Sequence, residues 1–75
     1  MTKRRIRLRS VDEVREFVQA ADRCDFAVNV LNEEAQIDAK SIMGVMSLDL
    51  TQELVVAYDE ENAELERVLR KFLVA

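Results

Sequence analysis

The sequence predicts an α+β fold, an open-faced β-sandwich of order β-α-β-β-α-β-α, whose four strands are covered on one face by helices. Three observations predict it. Short runs of β-forming residues alternate with runs of helical period; Ser10 and Ser41 each stand just before an apolar stripe; and proline, repeats and linker composition are absent. The 75 residues are therefore expected to form a single domain spanning 1–75.

Each element has its own local reason. Arg5, Arg7 and Arg9 alternate with Ile6 and Leu8, the period-two pattern of a half-buried strand over 5–9. Ser10 and Glu13 have capping-box spacing, with the hydroxyl accepting from the first turn and the carboxylate reaching back to the cap amide. The helix that follows carries Val14, Phe17, Val18 and Ala21 on its inward stripe and stops near Cys24 and Asp25. Residues 26–31 are rich in β-formers, residues 32–34 are polar enough to turn, and residues 36–39 can pair back, which predicts a hairpin.

Ser41 reads as the N-cap of a short helix in which Ile42, Val45 and Met46 recur at i, i+3 and i+4 while Met43 and Leu48 widen the apolar surface. Gly44 inside that helix costs about 1 kcal/mol relative to alanine, so either a core beneath it or a closely approaching partner must offset the loss. A helical methionine is by itself more often a core residue than a binding one. Residues 54–58 read as a buried strand, and Asp59 is expected to cap a last helix with Leu65, Val68, Leu69, Phe72 and Leu73 on one stripe. Glu60 and Glu61 at its start, with Arg70 and Lys71 at its end, suit the helix dipole.

Composition narrows the function classes. The net charge of −4 hides a segregation: Lys3, Arg4, Arg5, Arg7 and Arg9 crowd the N-terminus, whereas all 15 acidic residues lie between Asp12 and Glu66. The basic run reads as a charged edge strand that resists pairing with other chains. The alternative is an oligomerising or nucleic-acid-associated module using Lys3 to Arg9, and the acidic overall balance argues against nucleic acid. Cys24 is the single cysteine and reads as a small buried hydrophobe, so no disulfide is expected. With no histidine, no Cys/His cluster and no phosphate-cradling glycine loop, neither a metal, nor a cofactor, nor an enzymatic activity is expected. Asp59, Glu60, Glu61, Glu64 and Glu66 follow the logic of a solvated helix face. No apolar stretch of signal or membrane-spanning length follows Met1, which predicts a cytoplasmic protein without a membrane partner.

The run Lys40, Ser41, Ile42, Met43, Gly44, Val45, Met46, Ser47, Leu48, together with residues 17–21 and with Val28, Asn29 and Val30, resembles HPr, the histidine-containing phosphocarrier family of the bacterial phosphoenolpyruvate-dependent sugar phosphotransferase system. The three blocks follow one another without gaps, so the resemblance covers most of the chain from Ser10 onward. It implies an antiparallel sheet backed by helices, with the first and last helices adjacent. The family carries its phosphoryl group on a histidine that opens the first helix, followed two residues later by arginine and then by proline. Aligned on residues 17–21, those positions hold Ser10, Asp12 and Glu13. The loop before Ser10 is shortened, and the glycine-rich turn before the last strand has become Thr51, Gln52 and Glu53.

A serine phosphoester would hold its phosphate rather than pass it on, and Asp12 and Glu13 repel the phosphate that the family's arginine attracts. Ser10 is accordingly expected to be an N-cap only, and a phosphocarrier with a noncanonical acceptor is the disfavoured alternative. In HPr of many Gram-positive bacteria a dedicated kinase phosphorylates the serine matching Ser41, and the neighbouring Ile/Met face meets that kinase, the first enzyme of the system and a catabolite repressor. The resemblance thus implies regulatory phosphorylation of Ser41 and partner binding through Lys40, Ile42, Met43 and Met46. A phosphate dianion at a helix N-terminus is favoured by about 0.3 to 1 kcal/mol, with Asp38 subtracting from it. The expected function is that of an HPr-like regulatory or adaptor protein acting by protein–protein interaction. The same Met-rich face permits a weak homodimer.

Overall fold

The computed structural model describes residues 1–74. Its elements are β1 (Thr2–Ile6), α1 (Val11–Asp22), β2 (Val28–Leu31), β3 (Gln36–Asp38), α2 (Ile42–Met46), β4 (Leu54–Tyr58) and α3 (Ala63–Phe72), the order expected from the sequence. The strands form one antiparallel sheet of order β1-β4-β2-β3. Period-two alternation turns Ile6, Val28, Val30, Leu54, Val56 and Tyr58 to one face, where they are buried against Val14, Phe17, Val18 and Ala21 of α1 and Leu65, Val68, Leu69 and Phe72 of α3. Among the described residues no helix covers the other face. Among the described residues no helix is long and apolar enough to cross a membrane.

Several expected boundaries move, each for an identifiable reason. The first strand lies three residues upstream of the expected 5–9. Its hydrogen bonding switches after Ile6, where the Arg7 amide donates to the Phe72 carbonyl at 2.9 Å and the Val74 amide donates to the Arg5 carbonyl at 3.0 Å. Ile6 and Leu8 are both fully buried, so the alternation reported burial correctly but not ladder pairing. The second strand begins at Val28 rather than 26: Phe26 turns its ring toward Tyr58, with centroids 6.5 Å apart, and Ala27 is exposed. The third ends at Asp38, although the Ala39 amide still donates to the Val28 carbonyl at 2.8 Å.

The last helix is capped by Asn62, whose side-chain oxygen accepts from the Leu65 amide at 3.0 Å, and not by Asp59. Glu64 and Glu66 therefore occupy its first turn in place of Glu60 and Glu61, and Asp59 instead lies 3.7 Å from the N-terminal ammonium. Leu73 falls outside the buried stripe and is 45% exposed at the C-cap.

Glu66 joins three elements, accepting from the Tyr58 hydroxyl and from Arg4 at 3.2 Å. Exposed pairs Lys71–Glu16 and Arg23–Glu64 link α1 to α3, and each contributes about 0 to 1 kcal/mol.

Two buried groups should make the fold sensitive to alkali. Burial pushes the Cys24 thiol up, with Lys40 pulling the other way, and burial followed by the Glu66 hydrogen bond pushes the Tyr58 phenol up. A raised native pKa means that the folded state holds the proton more tightly than the unfolded chain. The stabilisation is full below the unfolded pKa and lost as pH rises through the native one. Thermal melts by circular dichroism are expected to show Tm falling from about pH 8.5 upward, where an unfolded thiol begins to ionise. A Tm unchanged from neutrality to strong alkali would contradict this. Native Cys24 should also resist thiol reagents that label it fully in denaturant.

Candidate functional site

Two clusters contain the residues singled out from the sequence, one at the start of α1 and one around α2, and α1 packs against both α2 and α3. In the first, Ser10 has extended backbone and its Oγ accepts from the Glu13 amide at 3.1 Å. Glu13 does not close the expected box on the cap residue. Its Oε1 accepts from the Arg9 amide, one residue earlier, at 2.8 Å. Asp12 points no hydrogen bond at Ser10 among the described residues, and it is exposed, as is Val11 beside it. The cluster is a capped helix start with two carboxylates around it.

In the second cluster Ser41 caps α2, its Oγ accepting from the Gly44 amide at 3.1 Å, and the Ser47 hydroxyl donates to the Gly44 carbonyl at 2.6 Å. Five residues make less than two turns, enough to bury one side only. Val45 takes that side, with Leu48 beside it. Met43 is left 82% exposed, Met46 42% and Ile42 40%, so the methionines are surface residues here, against their general preference for cores. Three large apolar side chains thus adjoin Ser41 on open surface.

Gly44 owes its place to packing beneath the helix. A Cβ there would lie 2.7 Å from Cγ2 of Ile37 on β3 and 3.2 Å from the Ser41 hydroxyl, so only glycine lets α2 lie this close to the sheet edge. Lys40 is turned inward, its ammonium donating to the Cys24 carbonyl at 2.8 Å and so anchoring the approach to α2 on the end of α1. Asp38 is likewise engaged, accepting from the Lys40 amide at 2.9 Å. The Lys40 anchor escaped the sequence reading because a lysine beside a binding helix reads equally well as a surface contact. The Ile37–Gly44 contact escaped because it joins residues on different elements.

Elsewhere the molecule offers little reactive chemistry. A hollow of about 330 Å³ lies between the β2–β3 turn and the loop after α2, lined in part by Glu33, Glu34, Ser47 and Asp49. The Ser47 hydroxyl is spent on Gly44, and the Thr51 side chain, then its amide, holds Asp49 below the usual carboxylate range. Nothing there activates a nucleophile. Among the described residues no group of three or more His, Cys, Asp or Glu is placed to hold a metal ion. Two of the N-terminal cations are paired within the fold, Arg4 with Glu66 and Arg5 with Glu53 at 3.8 Å.

Comparison with known proteins decides the family. The family model described as the PTS HPr component phosphorylation site matches residues 13–72. The chain belongs to the HPr family. It is therefore a phosphocarrier-like protein related to the phosphotransferase system, with a family fold of four antiparallel strands and three helices. Among solved structures it is similar to a phosphocarrier protein HPr from Bacillus anthracis str. Ames, with 22% identity, a TM-score of 0.70 and 95% of each chain covered. At that identity the likeness shows the fold. No curated relative matches by sequence. Ser41, Ile42, Met43 and Met46 lie inside the segment matched by the HPr family model, whereas Ser10 and Asp12 lie before it.

Proposed function

We propose that this HPr-family chain is a regulatory or adaptor protein of the phosphotransferase system, docking other proteins through α2 and carrying no phosphate on histidine. The observation that carries the reading is the exposed Ile42, Met43 and Met46 surface next to the Ser41 cap, in a chain without histidine. Exposed apolar side chains of this size on so small a domain favour a protein-binding role, and methionine suits an adaptable contact. The start of α1 supports the same reading, since Ser10 is a cap flanked by Asp12 and Glu13 and a phosphate entering there would meet two negative charges.

The partners proposed are cytoplasmic proteins: HPr kinase, the first enzyme of the phosphotransferase system, or a catabolite repressor. Ser41 is the proposed modification site. With α2 only five residues long its dipole contributes little, so a phosphate there acts mainly by placing charge beside an apolar docking face. Lys40, tied to Cys24, contributes by holding α2 in place rather than by reaching a partner.

Calorimetric titration of each candidate partner tests the docking surface. At least one is expected to bind, and Met43→Asp is expected to weaken it by about tenfold or more, which corresponds to about 1.4 kcal/mol. Full affinity in Met43→Asp would refute this surface. For Ser41, HPr kinase and ATP should add one phosphate to the wild type and none to Ser41→Ala, and equal labelling of both would refute the site.

A further inference from the structure

We infer that the uncovered face of the sheet is a self-complementary surface on which a second copy of this chain docks by two-fold symmetry. The face is built from the strand residues that alternate away from the helices, and the register sets them in two rows. One row runs Lys3, Ala57, Asn29, Asp38 across β1, β4, β2 and β3, and the next runs Arg5, Val55, Leu31, Gln36. Among the described residues Lys3 stands unpaired at the β1 edge beside Arg5, which Glu53 partly neutralises at 3.8 Å; Val55 and Leu31 make an apolar middle, and Asp38 stands at the β3 edge.

A two-fold axis lying in the face, parallel to the strands and passing between β4 and β2, carries β1 onto β3 and β4 onto β2. Each row then meets its own reverse. Lys3 of one copy faces Asp38 of the other, Arg5 faces Gln36, Val55 faces Leu31 and Ala57 faces Asn29, and every pairing occurs twice. Strand directions stay aligned, as they do in face-to-face sheet packing, and a separation of about 10 Å lets lysine and aspartate side chains meet. A two-fold axis across the strands would instead set Lys3 and Arg5 against their own copies, and like charges oppose that arrangement.

The side chains are available for this. Lys3 is exposed and has no ion pair among the described residues, and Asp38 is exposed with one oxygen on the Lys40 amide. Leu31 and Val55 are half-buried and floor a shallow hollow of about 290 Å³ rimmed by Arg5, Glu33 and Glu53. A nucleic acid would be repelled by the anionic edge, whereas a second copy supplies the matching charge at both edges. Four strands spaced about 4.8 Å apart and only a few residues long give roughly 300 Å² per partner, which places the dimer in the weak, transient class. Because α2 lies on the helical side of the sheet, both copies keep their Ile42, Met43 and Met46 surfaces open, and the pair becomes bivalent toward a partner.

Sedimentation equilibrium from about 10 μM to 1 mM, a range suited to a small interface, tests this. The wild type is expected to self-associate with a dissociation constant on the order of 100 μM, weakening as salt rises. Lys3→Glu, Asp38→Lys and Val55→Asp should each weaken it by about tenfold, since each change acts twice per dimer. The double variant Lys3→Glu/Asp38→Lys should restore association, with circular dichroism verifying that each variant is folded. A monomeric wild type throughout the range, or association unchanged in folded Lys3→Glu, would overturn the inference. So would association that survives Val55→Asp and is lost in Met43→Asp, which would place the contact on α2. None of these outcomes depends on whether the α2 surface binds the partners proposed above.

Discussion

Phe17→Ala is expected to leave the chain largely unfolded at room temperature. Phe17 is the largest fully buried side chain, at the centre of the α1 stripe against the sheet. Truncating a buried phenylalanine removes its transfer free energy and leaves a cavity, at a cost of about 3 to 5 kcal/mol. A core in a chain of this length supplies only about 3 to 5 kcal/mol of net stability, and Cys24 is a free thiol that forms no cross-link. The two quantities are of the same size, so the folded population should collapse. Far-ultraviolet circular dichroism and urea titration check it, with Phe17→Leu as the volume-conserving control expected to lose less than about 1.5 kcal/mol. A Phe17→Ala variant that melts within a few degrees of wild type would mean that the packing described above is wrong.

Gly44→Ala should destabilise the protein by about 1 to 3 kcal/mol, although alanine in a helix is intrinsically better than glycine by about 1 kcal/mol. The added methyl would meet Ile37 Cγ2 at 2.7 Å and press on the Ser41 hydroxyl at 3.2 Å. Ile37 is β-branched, so that methyl cannot swing aside without moving χ1. The displaced atoms include the cap of α2, so the docking face proposed above should be disturbed together with the fold. A double-mutant cycle isolates the contact: Ile37→Ala should relieve the clash, giving a favourable coupling of about 0.5 kcal/mol or more with Gly44→Ala. Additive effects, or a stabilised Gly44→Ala, would show that α2 does not depend on close approach to β3.

The fold was legible because its signals are local. Capping serines, a period-two run and two apolar stripes name the elements in order, and Leu54–Tyr58 was placed to the residue. What escaped were features set by tertiary contact. The first strand stops at Ile6 because the end of α3 takes up the outward-facing groups of Arg5 and Arg7, and no local pattern carries that information. Asp59 and Asn62 are both good cap residues, and the choice between them depends on where Leu65 must enter the core; the Asn62–Leu65 spacing was the signal available. For Met43 and Met46 the general preference for core positions and the resemblance to HPr pointed opposite ways; both are exposed, as the resemblance implied, because so short a helix spends its inward side on Val45. The Ser41 cap was read correctly, whereas Glu13 reaches past the cap amide to Arg9.

As proposed above, this HPr-family chain keeps the α2 surface without the phosphocarrier step, and intact mass after incubation with phosphoenolpyruvate and the first enzyme of the phosphotransferase system, with a histidine-bearing HPr as positive control, tests this. The reading above predicts no mass change while the control gains one phosphate. A gain of one phosphate on this chain would contradict it and would direct attention to Ser10 as the acceptor.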